Sequence, residues 1–161
     1  MRSVIYYYSF SGNTRSVAET IAEFLLSKGD VILRRLKPVD EPGNFFIQAL
    51  QAKRRACPKL LEESFDVTDC DLIVCGTPVW AFSPAPAVNT LLQKIQGIEN
   101  KSVILFTTFG SGVGNKRCLE YMKETVSVKK PKEIQLFTIA GKRTKDKDYV
   151  FSQFKRLWPN G

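Results

Sequence analysis

The chain has 161 residues, 43% of them hydrophobic and 25% charged, and carries a formal net charge of +8. This length and composition are typical of a single globular domain over residues 1–161 and exclude an intrinsically disordered chain. No apolar run approaches the roughly 20 residues of a membrane span, and no signal-peptide pattern is present. We therefore expect no membrane span and a cytoplasmic location.

Histidine is absent from the chain. Its absence excludes Ser-His-Asp triads and the usual histidine-containing zinc sites. The four cysteines form no Cys-x-x-Cys pair, which argues against thioredoxin-type chemistry and predicts reduced, mostly buried thiols. Any catalysis is therefore expected to depend on a cofactor rather than on a metal or a nucleophilic side chain.

Five short segments rich in Val, Ile, Phe and Tyr are predicted to be β-strands. They cover residues 3–8, 31–36, 72–75, 102–107 and 133–139. The first, third and fourth are almost continuously apolar, which indicates strands covered on both faces. The second is more mixed and is expected at an edge.

Helical patterns fill the gaps between the predicted strands. Apolar residues from Val17 to Leu25 and from Val88 to Ile95 follow the spacing of one helix face. Ser83 is predicted to cap the second of these helices, with Pro84 in its first turn. Weaker patterns run through 46–56, 116–126 and 148–158, and Pro58 is expected to end the first of the three.

The alternation of strand and helix predicts an α/β fold with a doubly wound parallel sheet and helices on both faces. In such sheets ligands bind beyond the carboxyl ends of the strands, where the strand order reverses. For a five-stranded sheet of order 2-1-3-4-5, this point lies between the first and third strands. The loops after the first, third and fourth strands are therefore the candidate binding loops.

The first loop, residues 9–14, supplies three hydroxyls, an amide and a glycine at a strand-to-helix turn. The unpaired N–H groups and positive dipole end of a helix start attract anions, and Gly12 permits close approach. We interpret this loop as a phosphate cradle. It lacks the lysine of a nucleoside-triphosphate loop, so a monophosphate ester fits best. The alternative is an ordinary capping turn.

The second loop, residues 77–84, carries Trp80 and Phe82. Aromatic planes at this place can stack on a flat heterocycle, although Trp80 can equally be part of the core. The third loop, residues 107–114, has three glycines and Phe109, which allow the backbone to approach a ring edge. Together the three loops indicate a ligand with a phosphate joined to a planar ring.

With these motifs the chain resembles the short-chain flavodoxin family over nearly its whole length. Residues 9–14 match the family's phosphate loop, Thr/Ser-x-Thr/Ser-Gly-Asn-Thr, and residues 76–80 and 107–112 resemble its second and third flavin loops. The resemblance implies the flavodoxin-like fold and the cofactor flavin mononucleotide (FMN). It assigns the following residues to FMN: Ser9, Ser11, Gly12, Asn13, Thr14, Thr77, Pro78, Val79, Trp80, Phe82, Thr108, Phe109, Gly110 and Gly112.

The resemblance implies a redox protein that transfers electrons through non-covalently bound FMN. The alternative is an FMN-dependent NAD(P)H or quinone reductase that acts on a small-molecule acceptor. A binding module that has lost the cofactor is a third possibility.

Two features differ from the family's electron carriers, which are typically acidic and often have a glycine in the second loop. The charge of +8 predicts an acidic protein partner of the ferredoxin or rubredoxin type, or a small-molecule acceptor. Without glycine from Val79 to Phe82, a positive φ there is costly, which favours two-electron transfer. The basic runs at 53–55, 129–132 and 142–145 are interpreted as solvated faces rather than as a nucleic-acid site.

Overall fold

The computed structural model describes residues 1–62 and 64–158. These described residues form six strands: β1 Arg2–Tyr7, β2 Asp30–Arg35, β3 Leu72–Trp80, β4 Ser83–Pro84, β5 Ser102–Phe109 and β6 Glu133–Ala140. Five α-helices connect them or follow them: α1 Asn13–Leu26, α2 Phe45–Lys53, α3 Pro86–Lys94, α4 Asn115–Ser127 and α5 Lys147–Lys155. A short 3₁₀ helix, Gly141–Arg143, precedes α5.

The five long strands form one parallel sheet in the order β2-β1-β3-β5-β6. The order predicted for the parallel strands is therefore confirmed, as is the α/β class. The two-residue β4 was not predicted and pairs antiparallel with the end of β3. β2 lies at one edge of the sheet, where its residues are mostly exposed, as its mixed sequence indicated.

Alternate residues of each strand enter two separate cores, one on each face of the sheet. In β1, Val4 and Tyr6 point to the core under α2, α3 and α4, whereas Ile5 and Tyr7 point to the core under α1 and α5. This alternation follows from the two-residue period of a strand. Helices on both faces leave the carboxyl edge of the sheet open for the connecting loops.

The strands that lead to the second and third loops run further than expected. β3 continues through Pro78 to Trp80, and β5 continues to Phe109, so that Pro78 lies opposite Thr108 in the ladder. The strands predicted from the sequence ended at Cys75 and Thr107. β3 nonetheless includes Pro78, since a strand tolerates Pro near its end. The second loop is consequently a tight turn rather than an open segment.

Two predicted helix boundaries are wrong. Ser83 and Pro84 belong to β4, and α3 starts later, with Ala85 as N-cap and Pro86 as its first residue. Pro86 is as well suited to a first helical turn as Pro84 is. Ser83 and Pro84 instead pair with β3. Helix α2 ends at Lys53, well before Pro58, since Arg55 adopts a φ of 53° that no α-helix continues.

The cysteines follow the sequence prediction. Cys70, Cys75 and Cys118 are buried free thiols, and Cys57 is exposed. Burial raises the pKa of both Cys75 and Cys118 to about 12, which keeps these thiols protonated near neutral pH. None of the helices in the described residues is long and apolar enough to cross a bilayer.

Candidate functional site

The three predicted loops lie side by side at the carboxyl edge of the sheet and contact one another. The first and third are joined by a hydrogen bond of 2.8 Å between the hydroxyls of Thr14 and Thr108. The first and second meet where the rings of Phe10 and Trp80 lie 6.0 Å apart between centroids. The structure therefore brings the three loops into one site, as the strand order requires.

The first loop is held by its own polar groups. Ser9 is buried, and its hydroxyl accepts a hydrogen bond of 3.1 Å from the N–H of Gly12. The guanidinium of Arg35 donates to the Ser9 carbonyl at 3.1 Å. Ser9 thus shapes the loop, while the exposed hydroxyl of Ser11 faces solvent.

The start of α1 is open to a ligand. Gly12 precedes it with a φ of 93°, and none of the described side chains caps the helix. A Cβ built on Gly12 would meet nothing within 4 Å. The first helical turn therefore combines free N–H groups, a positive dipole end and empty space, which is the arrangement that binds anions.

A fourth segment, which the sequence reasoning missed, supports the first loop. The buried hydroxyl of Thr144 lies 2.8 Å from the Gly141 carbonyl and 3.2 Å from the Asn13 amide oxygen, so that its single proton is shared between these two acceptors. This segment follows β6, outside the strands that flank the reversal point. Its position after a predicted strand was the only signal that could have found it.

The second loop is a two-residue hairpin between β3 and β4. Its central residues Ala81 and Phe82 have φ values of 46° and 66°. Positive φ at both positions is the pattern of a type I′ turn, which normally takes Asn or Gly there. The turn therefore adopts positive φ without glycine, which the sequence analysis identified as costly, and it is strained.

Trp80 is packed among aromatic rings. Only 6% of its surface is exposed, and Tyr8, Phe10 and Phe45 surround it edge-on at centroid distances of 5.3 to 6.0 Å. The sequence left open whether Trp80 stacks on a ligand or belongs to the core, and in the structure it belongs to the core. Stacking of Trp80 on a ligand ring would require Phe10 or Phe45 to move.

The other residues assigned to the second loop have different surroundings. Thr77 is buried and accepts a hydrogen bond of 2.9 Å from the N–H of Ala85, so it positions the start of α3. Pro78 and Val79 are half-buried at the end of β3. Phe82 is 46% exposed and lies over Gly114, where an added Cβ would come within 2.3 Å of the ring.

The third loop is open in its middle. A Cβ on Gly110 would meet nothing within 4 Å, whereas one on Gly112 would lie 3.5 Å from the Phe109 ring. Phe109 itself is half-buried. At the base of the loop the Thr107 hydroxyl bonds the Asn115 side chain. The loop therefore offers bare backbone at Gly110, beside a partly exposed aromatic ring.

A buried tyrosine anchors the elements beside the site. The Tyr8 hydroxyl contacts Gln48 of α2 at 2.7 Å and also the Glu41 carboxylate. Burial, with a further contribution from the hydrogen bond to Glu41, raises the pKa of Tyr8 well above its usual range. Tyr8 consequently stays protonated and holds α2 against the end of β1.

The cavities do not coincide with the full three-loop site. A cavity of about 470 Å³ lies elsewhere, beside β1 and β2, and Arg2, Tyr6 and Arg34 are among its lining residues. A cavity of about 310 Å³ borders the second loop at Ala81 and Phe82.

Comparison with known proteins identifies the family. A family model described as flavodoxin matches residues 48–152, which include the second and third loops but not the first. The chain belongs to the flavodoxin family. The resemblance inferred from the sequence is thereby confirmed, although the phosphate-loop motif lies outside the matched residues. No curated protein matches the sequence.

Several solved structures share the fold. A flavoprotein in complex with FMN from Lactobacillus acidophilus NCFM is 22% identical, with a TM-score of 0.67 over 91% of this chain and 98% of that one. The Trp repressor binding protein from Bacillus subtilis is 13% identical, with a TM-score of 0.65 over 99% and 100%. Oxidised flavodoxin 2 from Bacillus cereus is 17% identical, with a TM-score of 0.58 over 96% and 99%.

Proposed function

We propose that this flavodoxin-family protein binds FMN at the three loops and transfers electrons through it. The observation that carries the proposal is the open start of α1, where uncapped N–H groups, the Ser11 hydroxyl and the space beside Gly12 converge. These groups fit a phosphate monoester, since they donate hydrogen bonds without supplying a lysine. When bound, FMN would supply the redox chemistry, since the flavin ring itself accepts and donates electrons.

The first loop would hold the phosphate. The hydroxyls of Ser11 and Thr14 and the N–H groups of the first helical turn act as donors to the phosphate oxygens. The Thr14 hydroxyl can donate to phosphate while it accepts from Thr108. Asn13 is kept in place by Thr144, so the cradle is formed before the ligand arrives.

The second and third loops would hold the ring. Pro78 and Val79 offer half-buried apolar surface, and Phe109 offers a partly exposed aromatic face. Bare backbone at Gly110 permits the close approach that a flat ring edge needs. In this proposal Trp80 contacts the ring with an edge or after a shift of Phe10.

A protein partner is supported by the surface next to the site. Helix α2 exposes Phe45, Phe46, Ile47 and Leu50, and the basic residues 53–55 follow directly. An apolar patch with a basic border fits an acidic, partly apolar protein surface such as that of a ferredoxin or rubredoxin. Exchange with such a protein should slow as salt rises, since screening weakens charge steering. A rate of electron exchange that does not depend on ionic strength would exclude an acidic protein partner.

A second candidate function is a reductase that acts on a small-molecule acceptor. The observation that favours it is the cavity of about 310 Å³ beside Ala81 and Phe82, which is large enough for part of a small ligand. In this case the chain would exchange electrons with a diffusible substrate at the second loop.

Spectroscopy of the purified protein tests the proposal. FMN added to the protein should bind with one-to-one stoichiometry and change its absorbance in the visible range, and failure to bind would refute the function. NADH or NADPH alone should bleach the bound flavin if the chain is a reductase. If only a reduced protein partner bleaches it, the chain is a carrier.

A further inference from the structure

A cationic cavity adjoins the second loop. The depression of about 310 Å³ is lined by Lys53, Arg55, Ala81, Phe82, Ser83 and Arg117. Two separate parts of the chain contribute its three cations, since Lys53 and Arg55 lie at and just after the end of α2 and Arg117 lies in the first turn of α4. Sequence reasoning treated 53–55 as a solvated run and did not single out Arg117.

The guanidinium of Arg55 is held in a defined place. It lies over the ring of Tyr121 in α4, 4.0 Å from the ring centroid, in the geometry of a cation–π contact. The backbone of Arg55 has a φ of 53°, so that α2 does not continue through this residue. A fixed guanidinium loses less entropy on binding an anion than a free one does.

The cations of the cavity have no ion-pair partners in the part of the chain that the structure describes. Within residues 1–62 and 64–158, none of Lys53, Arg55 and Arg117 forms an ion pair with a carboxylate. The first turn of α4 has no acidic residue, and its N-cap is Gly114, without a side-chain cap. The positive end of the α4 dipole therefore adds to the positive potential of Arg117 rather than offsetting it.

One wall of the cavity is apolar. Phe82 is 46% exposed there, and its ring is braced against Gly114 of the third loop. The cavity thus presents cations on one side and an aromatic face on the other. Arginine forks bind phosphate oxygens in pairs, and aromatic faces stack on flat rings.

We propose that this cavity binds a small molecule that joins a phosphate or diphosphate to a flat apolar ring. The three cations hold the phosphate, and Phe82 contacts the ring. The ligand would then lie against the second loop, where the proposed function places one side of the flavin. The ligand's role as a redox substrate rests on that function, but its binding to the cavity does not.

The cations at the end of α2 have a simpler structural role as well, because basic residues favour a helix C-terminus. That role does not explain Arg117, which stands at the opposite end of a helix dipole. Arg117 is therefore the most informative residue to change.

Inorganic pyrophosphate is the probe, titrated calorimetrically into the full-length protein in the presence of saturating FMN, which fills the first loop. We expect saturable one-to-one binding. Arg117→Gln and Arg55→Gln should each weaken it at least tenfold, because each removes a hydrogen bond between charged groups. Circular dichroism checks that both variants fold.

Lys116→Gln is the matched control. It removes the same charge from the adjacent position, but Lys116 is 91% exposed and pairs with Glu120 at 3.9 Å, away from the cavity. This variant should bind pyrophosphate within twofold of the unchanged protein. Equal weakening by Lys116→Gln and Arg117→Gln would overturn the proposal, since the affinity for pyrophosphate would then depend only on the net charge of the protein.

Two further arms separate this proposal from its rivals. Poly-glutamate that binds while pyrophosphate does not would show a surface for acidic proteins and overturn the small-molecule site. Ser11→Ala with Thr14→Val should abolish tight FMN binding but leave pyrophosphate binding intact. A protein that binds pyrophosphate through Arg117 but does not bind FMN would refute the proposed function and keep this site.

Discussion

The first and second loops of the site lie side by side but are built in opposite ways. The first is polar and open, with an uncapped helix start, an exposed Ser11 hydroxyl and space beside Gly12. The second is aromatic and closed, with Trp80 enclosed by other rings and a turn strained at Ala81 and Phe82. The first loop has hydrogen-bond donors free for a ligand, whereas the aromatic side chain of the second loop already packs against other rings.

This contrast assigns different tasks to the two loops. An open polar loop can supply affinity directly, because its donors gain a charged partner only when a phosphate binds. A closed aromatic loop supplies shape and adjusts to the ring, at the expense of contacts it has already made. We therefore expect changes in the first loop to alter binding most, and changes in the second loop to alter stability.

The largest effect is expected from Ser11→Ala combined with Thr14→Val. Both hydroxyl donors to the phosphate are lost, and each such bond contributes about 1.5–3 kcal/mol. FMN affinity, measured by fluorescence titration, should fall at least tenfold. Ser27→Ala removes a hydroxyl from the other end of α1 and should leave affinity unchanged. If the double variant binds FMN as tightly as the original chain, the first loop is not the anchor.

A slightly smaller effect is expected where the second loop rests on the third. Gly114→Ala places a Cβ within 2.3 Å of the Phe82 ring at a φ of 81°. The free energy of unfolding, measured by denaturant titration, should fall by about 2 kcal/mol. Gly110→Ala is the control, since its added Cβ meets nothing within 4 Å. Equal losses in both variants would show that the Phe82 contact is unimportant.

Relief of the strained turn should stabilise the protein. Ala81→Gly removes the Cβ from a residue with a φ of 46°, and the free energy of unfolding should rise by about 1 kcal/mol. Ala49→Gly, inside α2, should instead lower it by about 1 kcal/mol. The hairpin geometry is wrong if both substitutions destabilise the protein alike.

The smallest effect on affinity is expected at Trp80. Because this ring is already packed, Trp80→Phe should weaken FMN binding by no more than about threefold. Tryptophan fluorescence should nonetheless be quenched by FMN chiefly through Trp80, since Trp158 lies near Met1 and Leu72 at the amino ends of the strands. Trp158→Phe should retain the quenching. If quenching is undiminished in Trp80→Phe, the flavin ring does not lie beside the second loop.

The sequence was most informative where one feature decides the structure. The alternation of apolar strand segments with helical patterns predicted the doubly wound parallel sheet, and Gly12 with its hydroxyl neighbours indicated the first loop. It was less informative at the hairpin, because a two-residue turn through Ala81 and Phe82 contradicts the usual preference for glycine. That turn depends on packing of Phe82 against Gly114, a contact between distant parts of the chain.

Other parts of the site were unpredictable for the same reason. Thr144 contacts Asn13, which is 131 positions away in the sequence, and no local sequence pattern predicts such a contact. The packing of Phe45 against Trp80 depends on the position of α2. The apolar residues of that short helix, which are mostly exposed, did not predict this position. Long-range contacts of this kind are fixed by tertiary packing rather than by propensity.

The most direct test of the account compares the affinities of the unchanged protein for FMN and for riboflavin. The two ligands share the ring and the ribityl chain and differ only in the phosphate. If the open start of α1 is the anchor, FMN should bind at least tenfold more tightly than riboflavin, because only FMN offers the charged acceptor that the first loop lacks. Equal dissociation constants would contradict the account, since binding would then reside in the ring loops alone.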